Sequence, residues 1–114
     1  MALFKKKPEM DFIVPHADSF KGFNRIKLAT YRDEYAHAGI RKLGAKPIST
    51  VGFQVIKHPG TYGINVYAND NRIGTIWRDS WADYYKAIKA GKVSAAHVDI
   101  VDPDEVYLYI AVNN

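Results

Sequence analysis

Side chains able to do acid–base, metal or nucleophilic chemistry are few and scattered in this chain. The four histidines, His16, His37, His58 and His97, lie far apart. No two have the spacing that sets a pair of imidazoles on one helix face for a metal. His97 precedes Asp99 by two residues, so on a strand the two would share a face and could hydrogen-bond; a surface or packing histidine is the reading preferred. Asp102, Asp104 and Glu105 cluster, but Asp102-Pro103-Asp104 is also a type I turn signature that uses Asp for its geometry. The chain has no cysteine, which removes thiolate ligands, disulfides and thiol nucleophiles. No GxGxxG or GxxxxGK run is present to cradle a phosphate. The expectation is a protein that is not an enzyme and calls for no cofactor and no metal.

Binding chemistry is better represented. Tyr31-Arg32 ends a first alternating strand, Lys57-His58 ends a second, Tyr62 lies in the loop after it, and Trp77-Arg78 closes a fourth. Aromatic faces stack bases and Arg or Lys meets phosphates, the mixture that single-stranded nucleic acid needs. The same residues also make sense as core-edge aromatics with solvated neighbours. The binding reading requires that these strand ends converge on one rim.

The elements that would position them follow from periodicity. Arg25–Tyr31 alternates, with Ile26, Leu28 and Thr30 on one face, which predicts a half-buried strand. From Asp33 the period changes: Ala36, Ile40 and Leu43 lie at i, i+4 and i+7, with Asp33 and Glu34 at the start and Arg41, Lys42 and Gly44 at the end, as a helix of about three turns requires. Ile48–Lys57 is the next strand, with Gly52 hinting at a bulge or close approach. Pro59-Gly60 suits a type II turn. Gly63–Ala68 and Arg72–Ile76 pair through a tight turn at Asn69-Asp70-Asn71. Trp81, Tyr84, Tyr85 and Ile88 form the apolar stripe of a second helix, with Asp79 or Ser80 to cap it and Gly91 to end it. Ala95–Val101 and Val106–Val112 close the chain as strands around the Asp-Pro-Asp turn. The predicted class is α+β, in the order β-α-β-β-β-α-β-β, with a small curved antiparallel sheet or partial OB-like barrel and two helices.

Length and charge agree with one domain. The 114 residues match a single folding unit, and the 47 % apolar content is enough for a core. Residues 1–22 carry charges, Pro8, Pro15 and Gly22 without a sustained period, and read as a flexible basic arm with a docked stretch at Phe12–Val14; residues 23–114 form the domain. The net charge of +4 is uneven: residues 1–47 hold ten Lys/Arg against five Asp/Glu, residues 48–114 six against seven. A basic half suits an anionic partner, although a lysine-rich tail kept soluble by charge also explains it. The first eight residues show no apolar run behind their lysines, and nowhere do about 18 apolar residues run together. No membrane is expected, and the cytoplasm is the expected compartment.

The stretch Phe53–Val101, with "HPGTYGINVY", "NRIGTI", "WRDSWADYYKAIKAGKV" and "HVDIV", resembles the HIRAN domain family. With "RIKLATYRD" as first strand, the likeness extends over about Asn24–Val112. The resemblance implies a modified OB-type barrel, of a kind found beside helicase and nuclease modules or as small free-standing bacterial proteins, that grips the 3′ end of single-stranded DNA. It places Tyr31 and Arg32 near the family's aromatic/basic pair, matches Tyr62 to its loop aromatic, and sets Asn65 near its amide. The Asp that follows the loop tyrosine in the family is Gly63 here, so a carboxylate able to accept a terminal hydroxyl is missing. Thr75-Ile76-Trp77 also departs from the family's aromatic or imidazole after the motif glycine. The expected site is Tyr31, Arg32, Lys57, Tyr62, Asn65 and Arg78, for single-stranded DNA or DNA ends. The alternative is a protein-interaction or scaffold domain, able to form a homodimer through Tyr107 and Tyr109 on the last strand.

Overall fold

The computed structural model describes residues 8–113. Its elements run β1(Phe12–Pro15), β2(Asn24–Lys27), α1(Glu34–Leu43), β3(Thr50–Val55), β4(Gly63–Ala68), β5(Asn71–Trp77), α2(Ala82–Lys89), β6(Val93–Asp102) and β7(Glu105–Val112). This is the expected order with one strand added in front. The added strand, β1, is the expected docked stretch of the arm, and it pairs with β3 from Phe12↔Phe53 to Pro15↔Thr50. Residues 1–7 of that arm lie outside the described residues.

Two antiparallel sheets result, β1-β3-β4-β5 and β2-β7-β6. They meet at two seams, each a single bridge: His16 with Ala96 on one side, Ala29 with Thr75 on the other. The fold is thus a partial barrel of α+β class. Apolar alternation drives it, because one face of every strand is buried. Ile26, Phe53, Ile64, Val66, Ile76, Leu108 and Ile110 fill the space between the sheets, and Leu43 and Ile88 seal it from the helices.

The second seam positions the candidate site. Ile26, Leu28 and Thr30 are all buried, so the predicted alternation holds, but the chain makes its last bond to β7 from Leu28 N–H to the Val106 carbonyl and crosses to β5. There Ala29 and Thr75 exchange both backbone hydrogen bonds, at 2.8 and 3.1 Å. The crossing needs a gap on β5, and Gly74 supplies it: a Cβ at this position would lie 2.7 Å from the Leu28 Cβ.

Local chemistry ends the elements largely as expected. The Asp33 side chain accepts the Ala36 N–H and caps α1, and the Gly44 N–H closes the helix onto the Ile40 carbonyl. Gly60, at φ +80°, completes the type II turn with Thr61 donating to His58. Asn69 and Asp70 both take positive φ in the β4–β5 hairpin. The expected caps of α2 are not used. Trp81 occupies the N-cap position without a side-chain bond; the turn that leaves β5, which returns Ser80 and Trp81 N–H to the Trp77 carbonyl, starts the helix after Trp81 rather than after Asp79 or Ser80. No helix among the described residues is long and apolar enough to cross a membrane.

Candidate nucleic-acid interface

Thr30–Asp33 is a tight turn between the Ala29 bridge and α1, closed by the Asp33 N–H on the Thr30 carbonyl at 3.1 Å. Its two central residues are Tyr31 and Arg32. The turn thrusts the Tyr31 ring outward, 80 % exposed. Arg32 takes φ +54°, a left-handed conformation that costs a residue with a Cβ about 1–2 kcal/mol. Such strain persists only where the surroundings over-determine it, and it concentrates at binding sites.

Trp77 stands beside this turn, on the last residue of β5. It faces Gly63 across the β4–β5 ladder, and its ring lies on that glycine: a Cβ at position 63 would sit 2.7 Å from the Trp77 Cε3. The indole therefore has one face on backbone and stays 40 % exposed. Gly63 is thus the residue that seats the indole.

Tyr62 and Arg78 flank the same ladder end. Arg78 N–H donates to the Tyr62 carbonyl at 3.0 Å, and the guanidinium lies 3.8 Å from the Tyr62 ring centroid, a close cation–π pair. Asp79 approaches Arg78 Nε at 3.6 Å. Tyr35, in the first turn of α1, is 74 % exposed and opens onto the same cleft as Tyr31 and Trp77.

Two adjoining clefts flank Tyr31. One, about 560 Å³, is lined by Tyr31, Arg32, Tyr35, Arg72, Thr75 and Trp77 among others. The other, about 520 Å³, is lined by Lys27, Tyr31, Thr75, Trp77, Trp81 and Asp104 among others. Tyr31, Thr75 and Trp77 belong to both, so Tyr31 stands as a post between two spaces that share a floor.

The remaining expected residues lie elsewhere. Lys57 and Asn65 line a separate cleft of about 380 Å³ with Glu9, Met10, Asp11 and Gln54, on the outer face of the four-stranded sheet. Lys57 Nζ is bonded to Asp11 at 3.3 Å, and the same carboxylate accepts the Val55 N–H at 2.7 Å. Lys57 thus lines neither of the two clefts beside Tyr31. Asn65 is engaged on both ends of its amide, donating to Gln54 Oε1 at 3.2 Å and accepting from the Thr75 hydroxyl at 3.1 Å. Its role in the structure is to connect the two clefts through Thr75.

That connection is part of a longer chain of polar contacts. Arg72 Nη2 donates to Asp33 at 3.3 Å and approaches Thr75 Oγ1 at 3.4 Å, while Tyr67 donates to Gln54 at 3.0 Å. Burial raises the Tyr67 hydroxyl pKa above its ordinary value, against an opposing effect of Arg72, so it is a neutral donor near pH 7. Because Asp33 also caps α1, the chain ties helix, turn and sheet into one support for Tyr31.

The rim is mixed in charge. Lys27, Arg32, Arg72 and Arg78 are interleaved with Asp33, Glu34, Asp79 and Asp104. Tyr107 and Tyr109, the expected self-association face, are half-buried on the central strand of their sheet; Arg25 lies 5.2 Å from the Tyr107 ring centroid, and Phe20 packs 4.6 Å from Tyr109. Among the described residues, no three His, Asp or Glu side chains gather as metal ligands would.

The expected site held Tyr31 and Arg32 of the cleft residues; Trp77 was named with Arg78 as a strand-end pair but left out of that site, and Tyr35, Arg72 and Thr75 were missed. A Trp opposite a Gly on paired strands was the available signal for Trp77. No family model, curated protein or solved structure matches this chain.

Proposed function

We propose that this chain is a non-catalytic module that binds single-stranded nucleic acid, with single-stranded DNA or DNA ends as the ligand that the HIRAN resemblance suggests. One observation carries the reading: an exposed tyrosine, Tyr31, divides two clefts that share Trp77 as a wall, with Arg32 lining one of them and the Tyr62–Arg78 pair next in sequence to the Gly63–Trp77 ladder end. Each cleft exceeds the volume of one flat heterocycle. Successive bases stack on Tyr31 and Trp77, and Arg32 and Arg78 meet the phosphates between them. Stacking is tolerant of sequence, because every base has a π face. With Gly63 where a carboxylate would receive a terminal hydroxyl, binding is expected to depend little on whether the strand ends in the site.

Fluorescence anisotropy of a labelled oligothymidylate, titrated with protein at low and at moderate salt, tests the proposal. Saturable binding that weakens with salt is expected. Absence of binding at high micromolar protein in low salt would remove the proposal and leave a domain that recognises proteins as the reading to pursue.

A further inference from the structure

The other seam between the sheets is fastened by two imidazoles that the binding reading does not use. Residues 16–20 leave β1 and lie across β6. Ala17 N–H donates to the Ala96 carbonyl at 2.8 Å. His16 Nε2 accepts the Val98 N–H at 3.1 Å, capping the open edge of β6, and the His97 Nδ1–H donates to the Ala17 carbonyl at 2.7 Å. The two rings are 4.8 Å apart, with Phe20 stacked on His97 at 4.0 Å and Tyr109 of β7 at 5.9 Å from the same ring. His16 is about nine-tenths buried. With Nε2 acting as acceptor, its proton must sit on Nδ1, which is buried without a hydrogen-bond partner.

We propose that the His16–His97 pair is an acid-sensitive latch that holds residues 16–20 on β6 when neutral and releases them when protonated. A second proton on His16 would fall on Nε2 and set a donor against the Val98 N–H. That amide would then be a buried donor without an acceptor. Two imidazolium rings at this separation would also repel. The groups facing His16 are His97 from β6 and Asp18 from the strap itself; Tyr109 and Phe20 face His97 from its other sides. Asp18 lies 4.0 Å from His16 Nδ1 and is fully exposed, so water screens most of its attraction. The His97–Ala17 bond uses a proton present in both charge states, which makes His16 the titrating element of the latch.

Burial, and then the neighbouring His97, lowers the His16 pKa from its ordinary 6.5, with Asp18 opposing. The sign follows. Above pH 6.5 neither the folded nor the unfolded form protonates His16 and the latch is fully closed. As the pH falls below 6.5 the unfolded and unlatched forms take up a proton first, and the stability it contributed is lost.

Native-state hydrogen exchange by NMR, corrected for the intrinsic pH dependence of exchange, reads this directly. From pH 7.5 to 5.0 the protection of the Val98 amide should fall at least tenfold, while that of Leu108 on β7 changes little. In His16→Gln, whose amide oxygen can still accept from Val98, the fall at Val98 should vanish. Unchanged protection at Val98 in the parent chain, or the same fall in the variant, would overturn the latch. Should His16→Gln not fold, His97→Gln serves: the NMR titration midpoint of His16 should rise once its neighbour cannot charge, and an unmoved midpoint would equally overturn the proposal.

Discussion

At the residue scale the site turns on two side chains of one turn. Tyr31 is the most exposed large hydrophobic side chain among the described residues, so its removal should leave the fold intact. Tyr31→Ala is expected to weaken oligonucleotide binding by about 1–3 kcal/mol, the range for one base–aromatic stack. In urea denaturation its stability should stay within about 0.5 kcal/mol of the parent. A loss of stability comparable to the loss of affinity would mean the ring is structural. Arg32 offers the reverse test. Its φ of +54° suits glycine, so Arg32→Gly should hold or raise stability, by up to about 1 kcal/mol, while binding weakens with the lost cation. Urea midpoints and anisotropy on the same preparations would separate the two effects. The sequence displayed Tyr31, Arg32, Tyr62 and Arg78 as aromatic–cation pairs at strand ends; the structure sets Tyr31 and Arg32 on one turn beside Trp77 and pairs Tyr62 with Arg78 at the Gly63–Trp77 ladder end, outside the two clefts that Tyr31 lines. It gave no sign that Lys57 would face a different cleft, because its partner Asp11 stands just before β1, 46 residues earlier in the chain. Nor did it mark Tyr35 for exposure, since a helical tyrosine can equally be core.

At the element scale the decisive contact is between α1 and β5. Gly39 lies where the helix backbone meets the Arg72 backbone, and a Cβ there would stand 1.8 Å from the Arg72 carbonyl oxygen. Helix propensity alone favours Ala over Gly by about 1 kcal/mol. The contact outweighs it, because backbone cannot yield as a flexible side chain does. Gly39→Ala is therefore expected to destabilise the fold by about 3 kcal/mol or more, measured by urea denaturation; a gain in stability would show that the helix rides further from the sheet than described. The cap of α1 makes a second case. Asp33→Ala removes both the bond to Ala36 N–H and the acceptor of Arg72, so it should cost more than the roughly 1 kcal/mol of a lone cap. Both helices and the β3–β7 strands were legible from period and turn chemistry, since those signals are local. The strand β1 was visible only as a docked stretch, because four residues are too few to show alternation. The unused cap at Asp79 or Ser80 shows the opposite error: suitable residue types were present, but both are taken up in the tight turn after β5, and the helix starts beyond them.

At the scale of the whole molecule, the two seams make the architecture, and neither could be read locally. The Ala29–Thr75 bridge joins residues 46 apart and the His16–Ala96 bridge residues 80 apart. Pairing at that separation depends on sheet curvature rather than on any neighbouring residue. The distribution of charge is likewise a property of the whole. The basic first half of the sequence does not become a uniformly positive face, because four carboxylates stand among the cations of the rim. Only Arg32, Arg78 and Lys27 are placed to meet phosphates without a closer carboxylate claim on all their donors, so about three counterions should be released. For a single strand that gives a slope of log K against log salt near −2, or a loss of roughly tenfold or more in affinity between 50 and 200 mM salt. A slope several-fold steeper would place the strand on a different, more basic surface.

The central claim, that one rim of aromatic rings receives the strand, is tested most directly by amide and indole chemical-shift mapping during titration with a short oligothymidylate. The perturbed residues should cluster at Tyr31, Arg32, Tyr62, Trp77 and Arg78, with the Trp77 indole N–H moving more than that of Trp81. Perturbations confined to the β6–β7 face around Phe20 and Tyr109, or none at saturating oligonucleotide, would contradict it.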